Sequence, residues 1–451
     1  MQIIGKSRLL AKVASKLKTV AARRRWRATY AKATSFLQDS DRWSNGRMAA
    51  WQLSELNRLL QHALANCPGH RQKLESVGFE GKLSRLEDLG RLPFFTKEDL
   101  RAHGEEFTAT NFAPDDLRAV TSGGTTGLPT RFMAEARTYD ARFDAWRHAM
   151  WRRAGYRPGD RCLDITWAFN DGRPLILANK TGPLCLSIHD LDTGVLDIWW
   201  RRVEAFEPEF IVGFPSTATA LAKLLPKPGA LAKVRALLLA SEKLTLDQRA
   251  VITEGFPKAR IFEWYGMSEF AGFASGCEHA DTFHHWPQSG IMEVVGEDGR
   301  PVESPGQIGE IVLTGFGNYA TPFIRYRTGD RGIIGEPCLK CGRGHKVLTG
   351  IEGRVGDFLL GKQGRVLPIS ALNFHTDEFL QVFAHQFVQE EPGQVTLRIV
   401  PRPGFSAQDR TAINRLVAEK LGLDIFLTIE EVGVIQRTPR GKQPLIIQRC
   451  R

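Results

Sequence analysis

Hydrophobic positions in the middle of this chain alternate between two spacings. Short apolar runs lead through turns that contain glycine, serine or alanine into stretches with helical spacing. A strand is predicted at 210–212 before a helix around 217–225, and a strand at 235–239 before a helix around 246–254. A third apolar run occupies 260–264. Repeated strand–loop–helix units predict a layered α/β domain with largely parallel strands, whose ligands bind at the carboxyl ends of the strands.

The hydrophobic pattern changes towards the carboxyl end. Past Glu310 the apolar runs become hairpin-like, which predicts a twisted, β-rich subregion. Strands predicted at 385–388 and 395–400 flank a Glu-Pro-Gly turn, and a helix predicted at 407–421 precedes a strand at 425–429. This order of elements predicts a small α+β domain at the end of the chain.

The excess positive charge of the chain is concentrated at its beginning. Residues 1–32 hold ten Lys or Arg and no acidic residue; without those ten, 51 basic residues face 50 acidic ones. Apolar residues recur there at helical spacing: Leu9, Leu10, Val13, Leu17 and Val20. The pattern predicts an amphipathic basic helix, which leaves open contact with an anionic membrane, docking on a partner protein, a transit sequence or packing onto the chain's own body. Because the rest of the chain is nearly neutral, we expect no nucleic-acid partner.

Length and composition fit a large domain followed by a small one. A chain of 451 residues exceeds one typical domain, and its hydrophobic and charged fractions, 42% and 25%, are ordinary for a globular protein. We expect a basic helical segment at 1–44, a large α/β domain at 45–354 and a small, mobile α+β domain at 355–451. No apolar run approaches the ~20 residues that span a bilayer, and seven cysteines without an export signal indicate a reducing, cytoplasmic setting.

A run of glycines and hydroxyl residues stands at 121–130, Thr-Ser-Gly-Gly-Thr-Thr-Gly-Leu-Pro-Thr. Glycines allow a tight turn whose N–H groups point inward, and hydroxyls add donors, a combination that cradles phosphate oxygens. The run is not the common P-loop, because no Lys-Ser/Thr pair follows its last glycine. Its composition alone is also typical of a flexible linker.

Further motifs follow this run in a fixed order. They read Ile-Phe-Glu-Trp-Tyr-Gly-Met-Ser-Glu at 261–269, Tyr-Arg-Thr-Gly-Asp at 326–330, Ile-Glu-Gly-Arg-Val-Gly-Asp at 351–357 and Thr-Pro-Arg-Gly-Lys-Gln-Pro at 438–444. Together they resemble the adenylate-forming enzymes, a superfamily of acyl-CoA synthetases, luciferase-type enzymes and adenylation domains. The stretch Leu-Gly-Arg-Leu-Pro-Phe-Phe-Thr-Lys-Glu-Asp-Leu at 89–100 is similar to the phenylacetate–CoA ligase branch and its capsular-biosynthesis relatives. The resemblance covers about residues 45–445.

The resemblance implies an AMP-forming acid–thiol ligase. Such an enzyme joins a carboxylate to ATP as an acyl-adenylate and passes the acyl group to a thiol; we expect coenzyme A as that thiol and an aryl or arylacetic acid as the substrate. Two alternatives stay open: a biosynthetic ligase that passes the acyl group to an amine or hydroxyl, and a non-catalytic descendant that only binds ligands. A homodimer also stays open.

The resemblance also implies which residues bind ATP and magnesium. The loop residues expected at the phosphates, with Thr126 also in catalysis, are Ser122, Gly123, Gly124, Thr125, Thr126 and Gly127. In the next motif Tyr265 would stack on adenine, with Gly266 and Ser268 beside the nucleotide, and the catalytic Glu269 would ligate Mg²⁺. Asp330 would accept both ribose hydroxyls.

Two cationic residues are expected to act from the carboxyl-terminal part. Arg354 would reach the phosphate or ribose. In relatives the lysine that corresponds to Lys442 enters the active site for adenylation and leaves for the second half-reaction, which requires the small domain to rotate. The family's hinge position is Gly356 here, and glycine tolerates wide changes of φ and ψ.

A pair of cysteines in the Cys-Leu-Lys-Cys-Gly run at 338–342 has the spacing of a zinc knuckle. Such a site needs two more ligands, and members of the same branch are similar in having a Cys/His pair about sixty residues earlier. We expect Cys277, His284, Cys338 and Cys341 to be the ligands, with His285 as the alternative to His284. Four protein ligands leave no position for water, which indicates a structural zinc.

The acyl-binding residues are the least specified part of the sequence. Aromatic candidates on or beside the predicted loops are Trp167, Phe169, Phe214 and Trp264. Packing in the hydrophobic core explains each of them better than a role in the acyl pocket does.

Overall fold

The computed structural model describes residues 2–121, 130–167, 175–177, 182–187, 196–354, 358–363, 366–368, 379, 381–422, 425–437 and 443–450. Within these ranges the α-helices are α1 (Gln2–Ser40), α2 (Asn45–Asn66), α3 (Pro68–Glu75), α4 (Lys97–His103), α5 (Tyr139–Arg152), α6 (Leu196–Phe206), α7 (Pro215–Leu224), α8 (Leu246–Gly255) and α9 (Ala407–Leu421). Short 3₁₀ turns lie at Leu86–Arg91, Pro114–Asp116 and Pro287–Ser289.

The strands within the same ranges run from β1 to β20. They are β1 (Leu117–Thr121), β2 (Arg131–Glu135), β3 (Cys162–Trp167), β4 (Leu175–Leu177), β5 (Leu184–Ser187), β6 (Phe210–Gly213), β7 (Ala236–Ala240), β8 (Arg260–Gly266), β9 (Phe273–Ser275), β10 (Phe283–His285), β11 (Gly290–Val295), β12 (Ile308–Gly315), β13 (Tyr326–Ile334), β14 (Val347–Arg354), β15 (Phe358–Leu360), β16 (Val366–Pro368), β17 (Val382–Glu391), β18 (Gln394–Pro401), β19 (Phe426–Glu431) and β20 (Ile446–Gln448).

One twelve-stranded mixed sheet forms the framework of the large part. Its order is β11-β12-β13-β14-β10-β9-β8-β7-β6-β3-β5-β4. Strands β5, β3, β6, β7 and β8 are parallel neighbours, which confirms the predicted strand–loop–helix units. In the part of the sheet from β8 to β11, each strand is antiparallel to its neighbour. Short connections rather than helices join most of these strands, and short connections favour antiparallel pairing. The predicted α/β class with a β-rich subregion is confirmed.

Both faces of the parallel part of the sheet are buried, and strand β7 illustrates this. Ala236 and Leu238 belong to a core that includes Trp146, Met150 and Trp151 of α5. Leu237 and Leu239 belong to a second core, formed with side chains of α6, α7 and α8. Successive residues of a strand point to opposite faces, so a continuous apolar run is what a sheet covered by helices on both sides requires.

The carboxyl-terminal part has its own sheet and core. The order β19-β18-β17-β20 combines the predicted hairpin, β17 and β18, with two parallel edge strands. Helix α9 covers it, and Ser406 and Asp409 form a capping box at its start. The predicted helix at 407–421 is confirmed. The proposed boundary between residues 354 and 355 stays a prediction.

The amino-terminal helix extends beyond the basic residues 1–32. Helix α1 runs without a break over 39 residues. Near its end it packs on α5, where the Tyr30 hydroxyl lies 3.0 Å from Nδ1 of His148 and Leu37 is buried. Residues 20–28 are all exposed, including Val20 at 49%. Among the described helices, none is long and apolar enough to cross a membrane.

Candidate functional site: a nucleotide cleft and a metal-ligand cluster

A cavity of about 840 Å³ lies at the carboxyl ends of the parallel strands. Phe214, Glu242 and Glu269 line it from the turns that follow β6, β7 and β8. Asp330 of β13 and Gln443 of the carboxyl-terminal part also line it. The position agrees with the rule that ligands of open parallel sheets bind beyond the carboxyl ends of the strands.

Glu269 brings a carboxylate into this cavity although the residue is only 5% exposed. Its Oε1 accepts a hydrogen bond from the Tyr326 hydroxyl at 3.4 Å, and its Oε2 accepts one from the Ser268 hydroxyl at 3.3 Å. Both contacts are long for hydroxyl-to-carboxylate hydrogen bonds, so the carboxylate retains acceptor capacity. The Tyr139 hydroxyl of α5 donates to the Ser268 carbonyl at 2.6 Å and anchors the turn.

Tyr265 and Asp330, which both line the cavity, are in direct contact. The Tyr265 hydroxyl donates to Oδ2 of Asp330 at 2.7 Å. Burial, together with the adjacent carboxylate, raises the pKa of Tyr265 well above its ordinary value, so the hydroxyl keeps its proton. Gly266 cannot carry a side chain here, because a Cβ would lie 2.6 Å from the Phe273 ring. Asp330 also pairs with Arg354 across β13 and β14, which places the Arg354 backbone beside Asp330.

Several predicted residues lie outside the described residues. They are the phosphate-loop residues Ser122, Gly123, Gly124, Thr125, Thr126 and Gly127, together with Phe169, Gly356 and Lys442. The strands on either side of the loop are described: Thr121 and Arg131 are partners in the antiparallel pair of β1 and β2, so the loop's two ends are adjacent. Gln443, the neighbour of Lys442, lines the cavity.

Lys97 and Glu242 are two of the charged residues that line the cavity and that sequence reasoning did not identify as site residues. Lys97 follows the N-cap Thr96 of α4, and its Nζ donates to the Thr328 carbonyl at 2.6 Å. Glu242 follows β7 and accepts two backbone hydrogen bonds. A signal existed for both residues. Lys97 lies inside the opening motif at 89–100, and Glu242 is an acidic residue directly after a predicted buried strand.

A deep aromatic side of the cavity lies between α5 and the sheet. Phe143, Arg147 and Trp151 line it from α5 at intervals of four residues, and Trp264 lines it from β8. Arg147 stacks over Trp151 at 4.8 Å and pairs with Asp144 at 2.8 Å. Of the aromatic candidates, Phe214 and Trp264 therefore line the cavity.

A separate cluster lies where β10 sits between β9 and β14. The ligand atoms of Cys277, His284, Cys338 and Cys341, which we call the cysteine–histidine cluster, all lie within 4.8 Å of one another. Cys277 Sγ is 4.0 Å from Cys338 Sγ, and Cys341 Sγ is 3.7 Å from His284 Nδ1. A tetrahedral ion with bonds of about 2.3 Å to sulfur would separate its ligand atoms by about 3.8 Å. The donor set and spacing fit a zinc ion.

Strand geometry distinguishes the two candidate histidines. His284 and His285 are consecutive residues of β10, so their side chains point to opposite faces of the sheet. His284 joins the cluster and His285 does not. Burial lowers the pKa of His285 to about 3, and its Nε2 is buried without a hydrogen-bond partner among the described residues.

A charged network ties the cluster to the end of α1. Arg343, with a side chain 3% exposed, contacts both carboxylate oxygens of Asp41 and both of Glu278, at 2.7–3.0 Å. Arg153 pairs with the same Asp41 at 3.0 Å and lies 3.8 Å from the Trp286 ring. Because Glu278 follows Cys277 directly, the network lies beside the cluster.

Two family models match this chain. Residues 52–320 match a family described as AMP-binding enzyme, and residues 362–449 match one described as the CapK C-terminal domain. The phenylacetate-coenzyme A ligase of Thermus thermophilus is 29% identical over 333 residues, 71% of this chain and 74% of that protein. Protein CapK of Staphylococcus aureus is 22% identical over 407 residues, 85% of each.

Solved structures with the same fold include acyl-CoA ligases. A 2-hydroxyisobutyryl-CoA ligase in the postadenylation state with its acyl-adenylate has a TM-score of 0.71, at 21% identity over 90% of each chain. The same ligase in the thioesterification state with acyl-adenylate and CoA has a TM-score of 0.60, at 20% identity over 91% of each chain. At these identities the similarity shows the fold.

Proposed function

The chain belongs to the AMP-binding enzyme family, and from that premise we propose that it activates a carboxylic acid with ATP and transfers the acyl group to coenzyme A. The chemistry is that of an AMP-forming ligase: the carboxylate attacks the α-phosphorus of ATP, pyrophosphate leaves, and the thiol displaces AMP from the acyl-adenylate. The observation that carries the proposal is the convergence of Tyr265, Glu269 and Asp330 on one cavity at the carboxyl ends of β6 to β8.

The nucleotide would lie along the wall formed by β8 and β13. Asp330 offers its carboxylate to the ribose hydroxyls, and the Tyr265 hydroxyl fixes the orientation of that carboxylate. The Tyr265 ring offers a face to adenine. Arg354, Lys442 and the loop at 122–127 are proposed to bind the phosphates, as cations and N–H groups do when phosphate charge develops.

Glu269 is the residue proposed to hold Mg²⁺. It is a buried carboxylate whose two hydrogen bonds are long, a state that suits a hard cation with oxygen ligands. The ion, when bound, would neutralise charge on the phosphates. The protein supplies the oxygen ligand and the orientation of the carboxylate through Ser268 and Tyr326.

The cysteine–histidine cluster is proposed to hold one structural zinc ion. Three thiolates and one imidazole fill a tetrahedral shell, which leaves no position for a reacting water. Its role is therefore to join the connection between β9 and β10 to the connection between β13 and β14.

The acid to be activated is proposed to be an aryl or arylacetic acid. The relatives named phenylacetate-coenzyme A ligase support this class, and so do the aromatic residues at the deep side of the cavity, Phe143, Trp151 and Trp264. Flat rings pack well against such surfaces.

The exposed part of α1 is proposed to contact an anionic surface, either a membrane or an acidic partner protein. Residues 20–28 are exposed on every side of the helix and include Arg23, Arg24, Arg25 and Arg27. Such a contact depends on charge and weakens with salt. Binding of the full chain and of a chain lacking residues 1–28 to anionic and neutral vesicles would test it; equal binding by both chains would exclude the helix.

The proposed activity is tested by carboxylate-dependent exchange between ATP and pyrophosphate, screened over aryl, arylacetic and fatty acids. We expect exchange with at least one acid, reduced at least about a hundredfold by Glu269→Gln and unchanged by Glu254→Gln, an exposed residue of α8. Acceptors are then compared by AMP release: dependence on CoA supports the thiol ligase, and dependence on an amine or hydroxyl supports the biosynthetic alternative. ATP binding without exchange for any acid would exclude the proposal.

A further inference from the structure

Glu242 connects three backbone segments at the edge of the cavity. Its Oε2 accepts a hydrogen bond from the backbone N–H of Ser216, at the first turn of α7, at 3.0 Å. Its Oε1 accepts one from the backbone N–H of Gln443 at 2.6 Å. Glu242 itself lies in the turn after β7, where Ser241 has a φ of +73°. One carboxylate thus joins two loops of the large part to the segment that directly follows Lys442.

Both donors are backbone N–H groups, so the bridge requires two acceptor oxygens. A carboxylate has two, whereas the amide of glutamine has one oxygen and one NH₂ group that would face an N–H group. Burial raises the pKa of Glu242, while the backbone N–H groups of Gln443 and Ser216 and the positive charge of Arg437 act in the opposite direction. The amino end of α7 also favours a negative charge at this position.

Residues of the small part also bind Gln436 and Pro444, the two ends of what we call the Lys442 segment. Gln386 is fully buried, and its Nε2 donates to the carbonyl oxygens of Gln436 at 3.1 Å and Pro444 at 2.8 Å. Gln443 Nε2 donates to the His385 carbonyl at 3.1 Å. These bonds attach the segment to β17 and would move with it. The bond to Glu242, in contrast, ties the segment to the large part.

A second contact between the two parts is independent of Glu242. Lys223 of α7 donates through Nζ to the carbonyl oxygens of Val382 and Phe383, the latter at 2.9 Å. Arg402 donates to the Lys223 carbonyl at 2.9 Å. Loss of the Glu242 bridge therefore loosens the Lys442 segment while this contact remains.

We propose that Glu242 is a positioning residue for the adenylation half-reaction: its carboxylate docks the backbone N–H of Gln443, the residue that follows Lys442, on the large part. The inference rests on the proposed function, because it assigns Glu242 to the half-reaction in which Lys442 acts. Displacement of a reacting group by about 1 Å can cost a hundredfold in rate, so one missing hydrogen bond at this position is enough to matter.

The test separates the two half-reactions in Glu242→Gln. We expect ATP–pyrophosphate exchange to fall by about 10- to 100-fold in kcat, while acyl transfer from a synthetic acyl-adenylate to CoA changes by less than about twofold. Lys442→Ala provides the reference pattern, and Glu254→Gln is the matched control. An equal loss in both half-reactions, or unchanged exchange, would overturn the proposal.

A measurement without catalysis keeps the proposal separate from the proposed function. Trypsin cleaves after Arg and Lys, so the rate of cleavage next to Gln443 reports whether its backbone is docked on Glu242. We expect cleavage there to be about tenfold faster in Glu242→Gln than in the unsubstituted chain or Glu254→Gln, at equal global stability. Faster cleavage in a protein that exchanges no acid would support the docking contact and reject the ligase reaction. If Glu242→Gln fails to fold, Glu242→Asp, which retains two acceptor oxygens at a shorter reach, replaces it; equal cleavage rates would overturn the inference.

Discussion

The cysteine–histidine cluster and the nucleotide cleft use the same twelve-stranded sheet in different ways. The cluster joins two connections next to adjacent strands, and its four ligand atoms lie within 4.8 Å of one another. The cleft collects side chains from β8, β13, the turns after β6 and β7 and the carboxyl-terminal part. The ligand atoms of the cluster face one another. Glu269 in the cleft has two long hydrogen bonds, so its carboxylate can still accept others.

This difference follows from what each site has to do. A structural site gains stability when every ligand position is filled by protein. A site that binds ATP, an acid and a thiol in turn must leave acceptors and space for them. We therefore expect cluster substitutions to change stability and cleft substitutions to change rate constants.

The largest expected effect comes from breaking the cluster. Cys341→Ser removes one thiolate ligand, and we expect loss of the bound zinc and a drop of at least about 3 kcal/mol in the free energy of unfolding. Metal analysis together with denaturant unfolding measures both. Cys450→Ser, outside the cluster, is the control. Full zinc content in Cys341→Ser would contradict the four-ligand site.

In the cleft, Asp330→Asn should lower activity and leave stability nearly unchanged. It leaves one acceptor oxygen for two ribose hydroxyls, and we expect kcat/KM for ATP to fall about a hundredfold, which is about 2.7 kcal/mol, with the free energy of unfolding nearly unchanged. Exchange kinetics and denaturant unfolding are compared with Asp298→Asn, an exposed turn residue. A large loss of stability with little change in kcat/KM would contradict the expectation that cleft substitutions change rate constants.

Arg343→Met tests whether the cluster depends on its charged surroundings. The change leaves Asp41 and Glu278 without their shared partner, and because these carboxylates are 20% and 40% exposed we expect a loss of only about 2 kcal/mol. Zinc content and kcat should stay the same. Arg235→Met, which breaks an exposed pair, should cost less than about 1 kcal/mol. A fall in kcat of the folded variant would show that the two sites are coupled.

The smallest expected effect is that of Tyr265→Phe. The ring stays and the hydrogen bond to Asp330 is lost, so we expect KM for ATP to rise up to about tenfold while kcat changes little. Tyr319→Phe, whose hydroxyl accepts from Arg58 on another surface, is the control. An unchanged KM would mean that Asp330 is oriented without Tyr265.

Much of the fold could be predicted from local pattern. The helix at 407–421 and the strands that lead into the cleft follow from apolar spacing and from caps such as Ser406. Helical apolar spacing extends over 48–77, but the structure divides this stretch between two helices, α2 and α3, because Pro68 has no backbone N–H to continue the first one.

The sequence by itself determined the order of the motifs, the donor types of the metal cluster and the position of Glu269 after a strand, because these depend on spacing and side-chain chemistry. Only the tertiary structure decided between His284 and His285, since strand direction and the pairing of β10 with β9 and β14 choose which face meets the cysteines. The same holds for Glu242. Its partners are backbone N–H groups 26 and 201 residues away, and backbone N–H groups are present at nearly every position, so no residue pattern marks the pairing.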